Sequence, residues 1–175
     1  HAKIISIDTS KAESLPGVKA VITSSDIPHN RYGFTHQDQP VLADDKVRHL
    51  GDAVAAVAAD SERIAEKALG LIKVEYEPLP ALNNPLEAMK EGAVLIHEKS
   101  NIASHLKIRN GDIEQGWRES DIIIEETFTT PMVEHATIEP HAAVAEMDAE
   151  GNFTVWASVQ RPFTIASDLS KILKV

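Results

Sequence analysis

Residues 71–80 constrain this chain most. From Leu71 to Glu77 the apolar Ile72, Val74 and Tyr76 alternate with the charged Lys73, Glu75 and Glu77, and Pro78 and Pro80 follow. Period-two alternation marks a strand with one buried and one solvated face, and prolines, lacking an N–H for the ladder, end it. Such a strand needs partners. Lys3–Asp8, alternating around Ile5 and Ile7, is one, and Val18–Ile22, behind the Pro16-Gly17 turn, is another. Ala53–Ala59 has the small and β-branched residues of a close-packed third, and Val47–His49 could form a short one. Two helical segments separate them. Thr9 or Ser10 can cap the first, with Glu13 completing a capping box. Ser61 can cap the second, where Ile64, Ala65, Ala68 and Leu69 fall at helical spacing before Gly70. The order strand, helix, strand, loop, strand, helix, strand predicts an α+β domain over residues 1–82. Its two βαβ-like units would form one small sheet with helices packed on one face and the second strand against the first. The loop Thr23–Asp45, with Pro28, Gly33 and Pro40, is long enough to expect a functional or interfacial role, or disorder.

Beyond Asn83-Asn84-Pro85, which opens a short helix through Met89, residues 83–110 read as a connector carrying His97 and His105. A strand-rich α+β unit is expected over 111–175. Asp112 caps a short helix with Ile113 and Trp117, and the three isoleucines of Ile122–Thr130 predict a strand ended by Pro131. Thr137–Glu146 and Asn152–Val159 form a hairpin about Asp148–Gly151. Pro162 then starts a helix with Ile165, Leu169 and Ile172 on one face.

Acids outnumber Lys plus Arg by 27 to 17, and the formal charge of −10 repels phosphate backbones and anionic lipid, so neither nucleic acid nor a membrane is an expected partner. Cysteine is absent, which removes thiolate nucleophiles and Cys-ligated clusters from this chain and agrees with a cytoplasmic location. The first residues show no signal peptide, and the longest weakly apolar run, Ala53–Ala59, is too short to cross a bilayer. His1-Ala2-Lys3-Ile4-Ile5 and Ile172-Leu173-Lys174-Val175 read as sequence from the middle of elements, so a fragment of a longer protein is expected.

Candidate chemistry is sparse. His135, Glu139 and His141 would share one face of a strand and could in principle bind zinc, although no His-Glu-x-x-His pattern or fourth ligand accompanies them. Ordinary hydrogen bonding at a pocket wall is the simpler reading, and no protein-ligated metal is expected. Glu75 and Glu77, with Asp44, Asp45 and Asp52, could supply paired carboxylates, but i, i+2 acids are common on solvated strands. Gly51-Asp52 and Gly111-Asp112 are explained by turns; phosphate loops and nucleophile elbows are missing. Gln160 stands apart. It lies between a strand and Arg161-Pro162, where a carboxamide can donate to an oxo group or accept from an amide near a helix N-terminus.

Several fragments, in order, resemble one family. They are His1–Ala12 with Leu15-Pro16-Gly17-Val18 to Val21, His49-Leu-Gly51-Asp52 through Asp60, and Val74-Glu-Tyr-Glu-Pro-Leu-Pro80. Gly111-Asp112 through Gly116, Glu134-His135, Ile138-Glu139-Pro140-His141 and Ala157-Ser-Val-Gln160 follow. Together they resemble the large molybdopterin-binding subunit of the xanthine dehydrogenase and aldehyde oxidase family. The first part is similar to its α/β hammerhead domain, and 111–175 to the beginning of its molybdenum cofactor-binding domain. The chain departs from the family in Val159, where Thr is common, and in Arg161, where a small or polar residue is usual.

The resemblance implies a parent protein that hydroxylates a purine-like N-heterocycle or an aldehyde, with water as the oxygen source. Molybdenum-molybdopterin would be its cofactor, with none bound to this fragment alone. Iron-sulfur clusters, and FAD where present, would lie on partner domains or subunits. Gln160 would hydrogen-bond the molybdenum's oxo ligand, serving both catalysis and cofactor binding, while Glu134, His135 and Glu139 would be architecture beneath the site. The base, a substrate-facing Arg and a Gly-rich loop would follow Val175, leaving the fragment inactive in isolation. A non-catalytic binding or assembly domain of a multi-domain redox protein is the alternative, and open strand edges predict self-association.

Overall fold

The computed structural model describes residues 1–175, which divide into two units: His1–Ala103 together with Gln160–Val175, and Ser104–Val159. The first unit contains β1 (Ala2–Asp8), α1 (Ser10–Glu13), β2 (Val18–Thr23), a 3-10 turn (Ser24–Asp26), β3 (Lys46–Val47) and β4 (Ala55–Ala59). It continues with α2 (Glu62–Leu69), β5 (Lys73–Pro78) and α3 (Pro85–Ala88). The second unit holds α4 (Ile113–Glu119), β6 (Ala143–Met147) and β7 (Phe153–Ala157), and α5 (Pro162–Leu173) belongs to the first.

The α+β class holds, but the strands pair differently from the single sheet expected. One antiparallel sheet runs β3-β1-β5 and a second pairs β2 with β4, so β2 does not lie against β1. Alternation fixes which face of a strand is buried and says nothing of its partner. Charge complements the outer ladder: Lys3 lies opposite Glu77 with their charged atoms 3.4 Å apart, Ser6 donates to Glu75, and Asp8 faces Lys73. A register shift between Ile4 and Ser6 changes the inward set. Ile4 and Ile7 turn inward while Ile5 is exposed, which alternation around Ile5 and Ile7 did not anticipate.

The helices pack through small residues. Ala12 of α1 and Ala68 of α2 are fully buried, and both helices contact the β2–β4 sheet. Gly17, at φ +92°, lets the start of β2 pass under α2, where a Cβ would come within 2.8 Å of Ile64 Cδ1. Ser61 caps α2 as expected, accepting from Ile64 N. At α1 the expected capping box does not form. The Asp8 carboxylate instead accepts from both Ser10 N and Ser10 Oγ, and these two bonds hold its pKa below the ordinary value.

The long loop supplies the rest of the core. Leu42 and Ala43 are buried, and the Asn30 carboxamide donates to Leu42 O at 2.7 Å while accepting from Leu42 N at 3.0 Å, as a neighbouring strand would. Arg31 pairs with Asp44 at 2.7 Å. Partial burial opposes the charged form of Asp44, but the hydrogen bond and positive charge of Arg31 outweigh it, and the carboxyl sits below its ordinary pKa. Tyr32 and Gln39 exchange backbone hydrogen bonds, closing a tight excursion that begins with Gly33.

In the second unit Asp112 caps α4, accepting from Gln115 N at 3.0 Å, and the β6–β7 hairpin forms about Asp148–Gly151. Ile122–Thr130 is not a strand: Ile122, Ile124 and Phe128 are exposed and no ladder includes them. β-propensity without a pairing neighbour does not make a strand.

Two consequences are measurable by unfolding. Gly33 is at φ +149° and a Cβ there would lie 1.9 Å from His36 O, whereas Gly92, at φ +78°, has open space around it. Gly33→Ala should cost about 2–3 kcal/mol and Gly92→Ala only about 1 kcal/mol in thermal or urea unfolding. The Asp44 pKa is lower folded than unfolded. Its stabilisation is therefore complete above the ordinary Asp value and is lost as pH falls through the depressed one. Stability measured across this acid window should be flatter in Arg31→Gln than in the wild type.

Candidate functional site

The residues singled out for metal binding do not converge. Segment 131–142 is irregular and exposed, and Ala136 takes φ 49°, which breaks the extended run that would have put His135, Glu139 and His141 on one face. No group of three or more His, Cys, Asp or Glu side chains is arranged to hold a metal ion. Glu134 accepts from Ala136 N within the same turn, and Glu134, His135 and Glu139 are all exposed.

Four of the carboxylates have structural partners. Glu75 and Glu77 accept from Ser6 and Lys3 on the neighbouring strand, and Asp44 is paired with Arg31. Asp52 accepts from Arg48 N and lies 3.3 Å from His49 Nε2, which closes the turn at Gly51. A polar cleft of about 480 Å³ in the first unit is lined by Ile4, Ser6, Thr9, Glu13, Thr23 and Asp26 among others. Its acids are engaged locally: Thr23 N donates to Asp26 at 2.8 Å, and Thr9 Oγ1 donates to Glu13.

Gln160 is exposed and follows β7 by three residues, immediately before the residue that opens α5. Exposure leaves both the donor and the acceptor of its carboxamide open to a group outside the chain. Arg161 stands at the N-cap of α5 with no side-chain cap bond, and Pro162 occupies the first turn, where a missing N–H costs nothing. The Arg161 guanidinium lies over the Phe34 ring, 4.7 Å from its centroid. At the other end of the helix, His29 N donates to Ile172 O at 3.1 Å. The stripe Thr164, Asp168, Leu169 and Ile172 is the half-buried face of α5. Sequence reasoning flagged the long loop only for its length and did not single out His29 or Phe34. Their partners lie at the far end of the chain, and no local pattern reports that.

In chemical terms, the chain offers an exposed carboxamide and no ligating cluster.

Comparison with known proteins gives the following. Residues 1–80 match the family described as aldehyde oxidase and xanthine dehydrogenase, a/b hammerhead domain, and residues 96–175 match the molybdopterin cofactor-binding domain. The chain is 43% identical to a probable xanthine dehydrogenase subunit of Bacillus subtilis (strain 168), over 100% of its own length and 24% of that protein's. It is 40% identical to the nicotinate dehydrogenase large molybdopterin subunit of Eubacterium barkeri, over 93% of this chain and 38% of that one. The aldehyde oxidoreductase from Desulfovibrio gigas superposes with a TM-score of 0.87 at 31% identity, covering 99% of this chain and 20% of that structure. The chain thus spans about a quarter of the length of its Bacillus relative. No helix is long and apolar enough to cross a membrane.

The turn of the β6–β7 hairpin yields a titration test. The Asp148 carboxylate accepts from Asn152 Nδ2 at 2.8 Å and from Asn152 N at 2.7 Å, and these bonds hold its pKa below the ordinary value. Carboxyl-carbon NMR should find a midpoint below the usual Asp range, and Asn152→Ala should raise it towards that range by removing the side-chain donor.

Proposed function

Because the chain belongs to the xanthine dehydrogenase and aldehyde oxidase family, as part of its large molybdopterin-binding subunit, we propose that it serves a molybdenum hydroxylase in which Gln160 contacts the cofactor. The observation that carries this reading is the exposed carboxamide of Gln160 before α5, within the segment that matches the molybdopterin cofactor-binding domain. Residues 1–82 act as the hammerhead domain, 83–110 as a connector, and 111–175 as the beginning of the cofactor-binding domain.

When bound, molybdenum-molybdopterin supplies the redox chemistry of hydroxylation. The Gln160 amide would donate a hydrogen bond to the cofactor and help to hold it in place without ligating the metal. A neutral amide suits this role, because it donates a hydrogen bond without a proton transfer of its own. Of Glu134, His135 and Glu139, Glu134 would brace the local backbone through the bond it accepts from Ala136 N.

The substrate of the whole protein is a purine-like N-heterocycle or an aldehyde. The names of the relatives include a xanthine dehydrogenase, a nicotinate dehydrogenase and an aldehyde oxidoreductase, which supports both classes. Electrons leave through iron-sulfur clusters, and through FAD where present, on partner domains or subunits in the cytoplasm. The chain spans 24% of the Bacillus relative's length, and the 175 residues alone are expected to turn over no substrate.

The test is made on the natural-length protein with its partners. Molybdenum per polypeptide, measured by inductively coupled plasma mass spectrometry, should be near one. Gln160→Ala should keep the metal and lower kcat on the order of tenfold to hundredfold, the range expected for losing an outer-shell hydrogen bond to a metal site. A well-folded, fully assembled preparation with a ratio near zero would replace this reading with that of a non-catalytic assembly domain.

A further inference from the structure

We propose that Phe34 and Arg161 form a cation–π clamp that fixes the start of α5 and thereby positions Gln160; the inference rests on the reading of Gln160 given above. Three observations carry it. Arg161 occupies the N-cap with φ −131° and ψ 71°, neither helical nor extended; its carbonyl accepts from Ile165 N at 3.1 Å, but its side chain makes no cap bond, so nothing on its own helix fixes the guanidinium. Its guanidinium lies 4.7 Å from the Phe34 centroid, within the range of a favourable contact between a cation and the face of a ring. Phe34 is 77% exposed, and a large aromatic side chain held away from the core contributes little to stability unless it has another partner.

The backbone that carries the ring is also held in place. Tyr32 N donates to Gln39 O at 2.9 Å, and Gln39 N donates to Tyr32 O at 3.1 Å, closing the excursion on which Phe34 sits. Gly33 makes the tight approach to His36 O that a Cβ would prevent, so the chain is committed to this tip conformation. The same loop grips the far end of α5 through His29 N and Ile172 O. With both ends of the helix held by one loop, the backbone at Gln160 has its direction set by a segment distant in the sequence. Phe34 and Arg161 are therefore positioning residues, which reach the cofactor only through Gln160.

The natural-length holoenzyme with its partners tests this with three variants. Phe34→Leu keeps an apolar side chain and removes the ring, Phe34→Tyr keeps the ring, and Gln160→Ala reports on the glutamine itself. Hydrogen exchange followed by mass spectrometry reads the clamp without using activity. Exchange across residues 162–168 should rise about two- to fivefold in Phe34→Leu, the size of an exposed cation–π contact, and return to the wild-type rate in Phe34→Tyr. Residues 113–119 should not change. In parallel, Phe34→Leu should lower kcat with KM and molybdenum content unchanged, and Phe34→Tyr should restore it. Unchanged exchange in Phe34→Leu would overturn the clamp. Raised exchange with wild-type kcat, while Gln160→Ala lowers kcat, would overturn the positioning role and leave the reading of Gln160 standing. A wild-type kcat in Gln160→Ala would remove that reading and the positioning role with it.

Discussion

When Ala2–Asp8 pairs with Lys73–Pro78, everything between them is closed into a loop, and α1, β2, β3, β4 and α2 of the first unit form inside that closure. The ladder joins the first strand of the unit to its last, so its cost in chain entropy is met only when the intervening segments also find partners. β2 and β4 pair with each other inside the closure, and α1 and α2 pack on them through buried Ala12 and Ala68. The long loop then fills what remains, with Leu42 and Ala43 in the core and Asn30 acting as a side-chain substitute for a strand. Few large side chains are deeply buried, and the unit depends on close backbone approach at alanine and glycine more than on bulky packing.

This dependence explains what the sequence made legible. Most signals completed within four residues were correct: Ser61 at α2, Asn84 at α3, Asp112 at α4, Pro162 at α5 and the Asp148–Gly151 turn do what their chemistry implies, and the α1 capping box is the exception, displaced by the bonds of Asp8 to Ser10. Signals that required a distant partner were not. Alternation found β1, β2, β4 and β5 but assigned β2 to the wrong neighbour, and the register shift beside Ile5 reversed part of the inward pattern. Ile122–Thr130 has the composition of a strand and no ladder to join. A period-two pattern is a necessary condition for a half-buried strand, and pairing supplies the rest.

The candidate site divides along the same line. The sequence singled out Gln160 because a glutamine between a strand and a prolyl helix start has a recognisable chemical use, and the structure places it at that junction, exposed, before α5. The metal reading of His135, Glu139 and His141 assumed an extended backbone that Ala136 interrupts, so residues two apart in the sequence do not share a face. Phe34 had no local signal at all. An exposed aromatic residue in a loop is ordinary until its partner is known, and the partner is the residue after Gln160.

The division of the chain gives that contact its significance. The backbone leaves the first unit after Ala103 and rejoins it at Gln160, so the glutamine is the first residue of the returning segment. Residues at such a point take their orientation from whichever unit holds the element they begin. Here that element is α5, held at its C-terminal end by a backbone hydrogen bond from His29 and at its start by the ring of Phe34. A loop with buried Leu42 and Ala43 at its base is anchored well enough to transmit this constraint, whereas an exposed hairpin with no buried residue is not. A loop in the part that matches the a/b hammerhead domain thus touches both ends of a helix in the part that matches the molybdopterin cofactor-binding domain, a tie between two matched segments that no local sequence pattern reports.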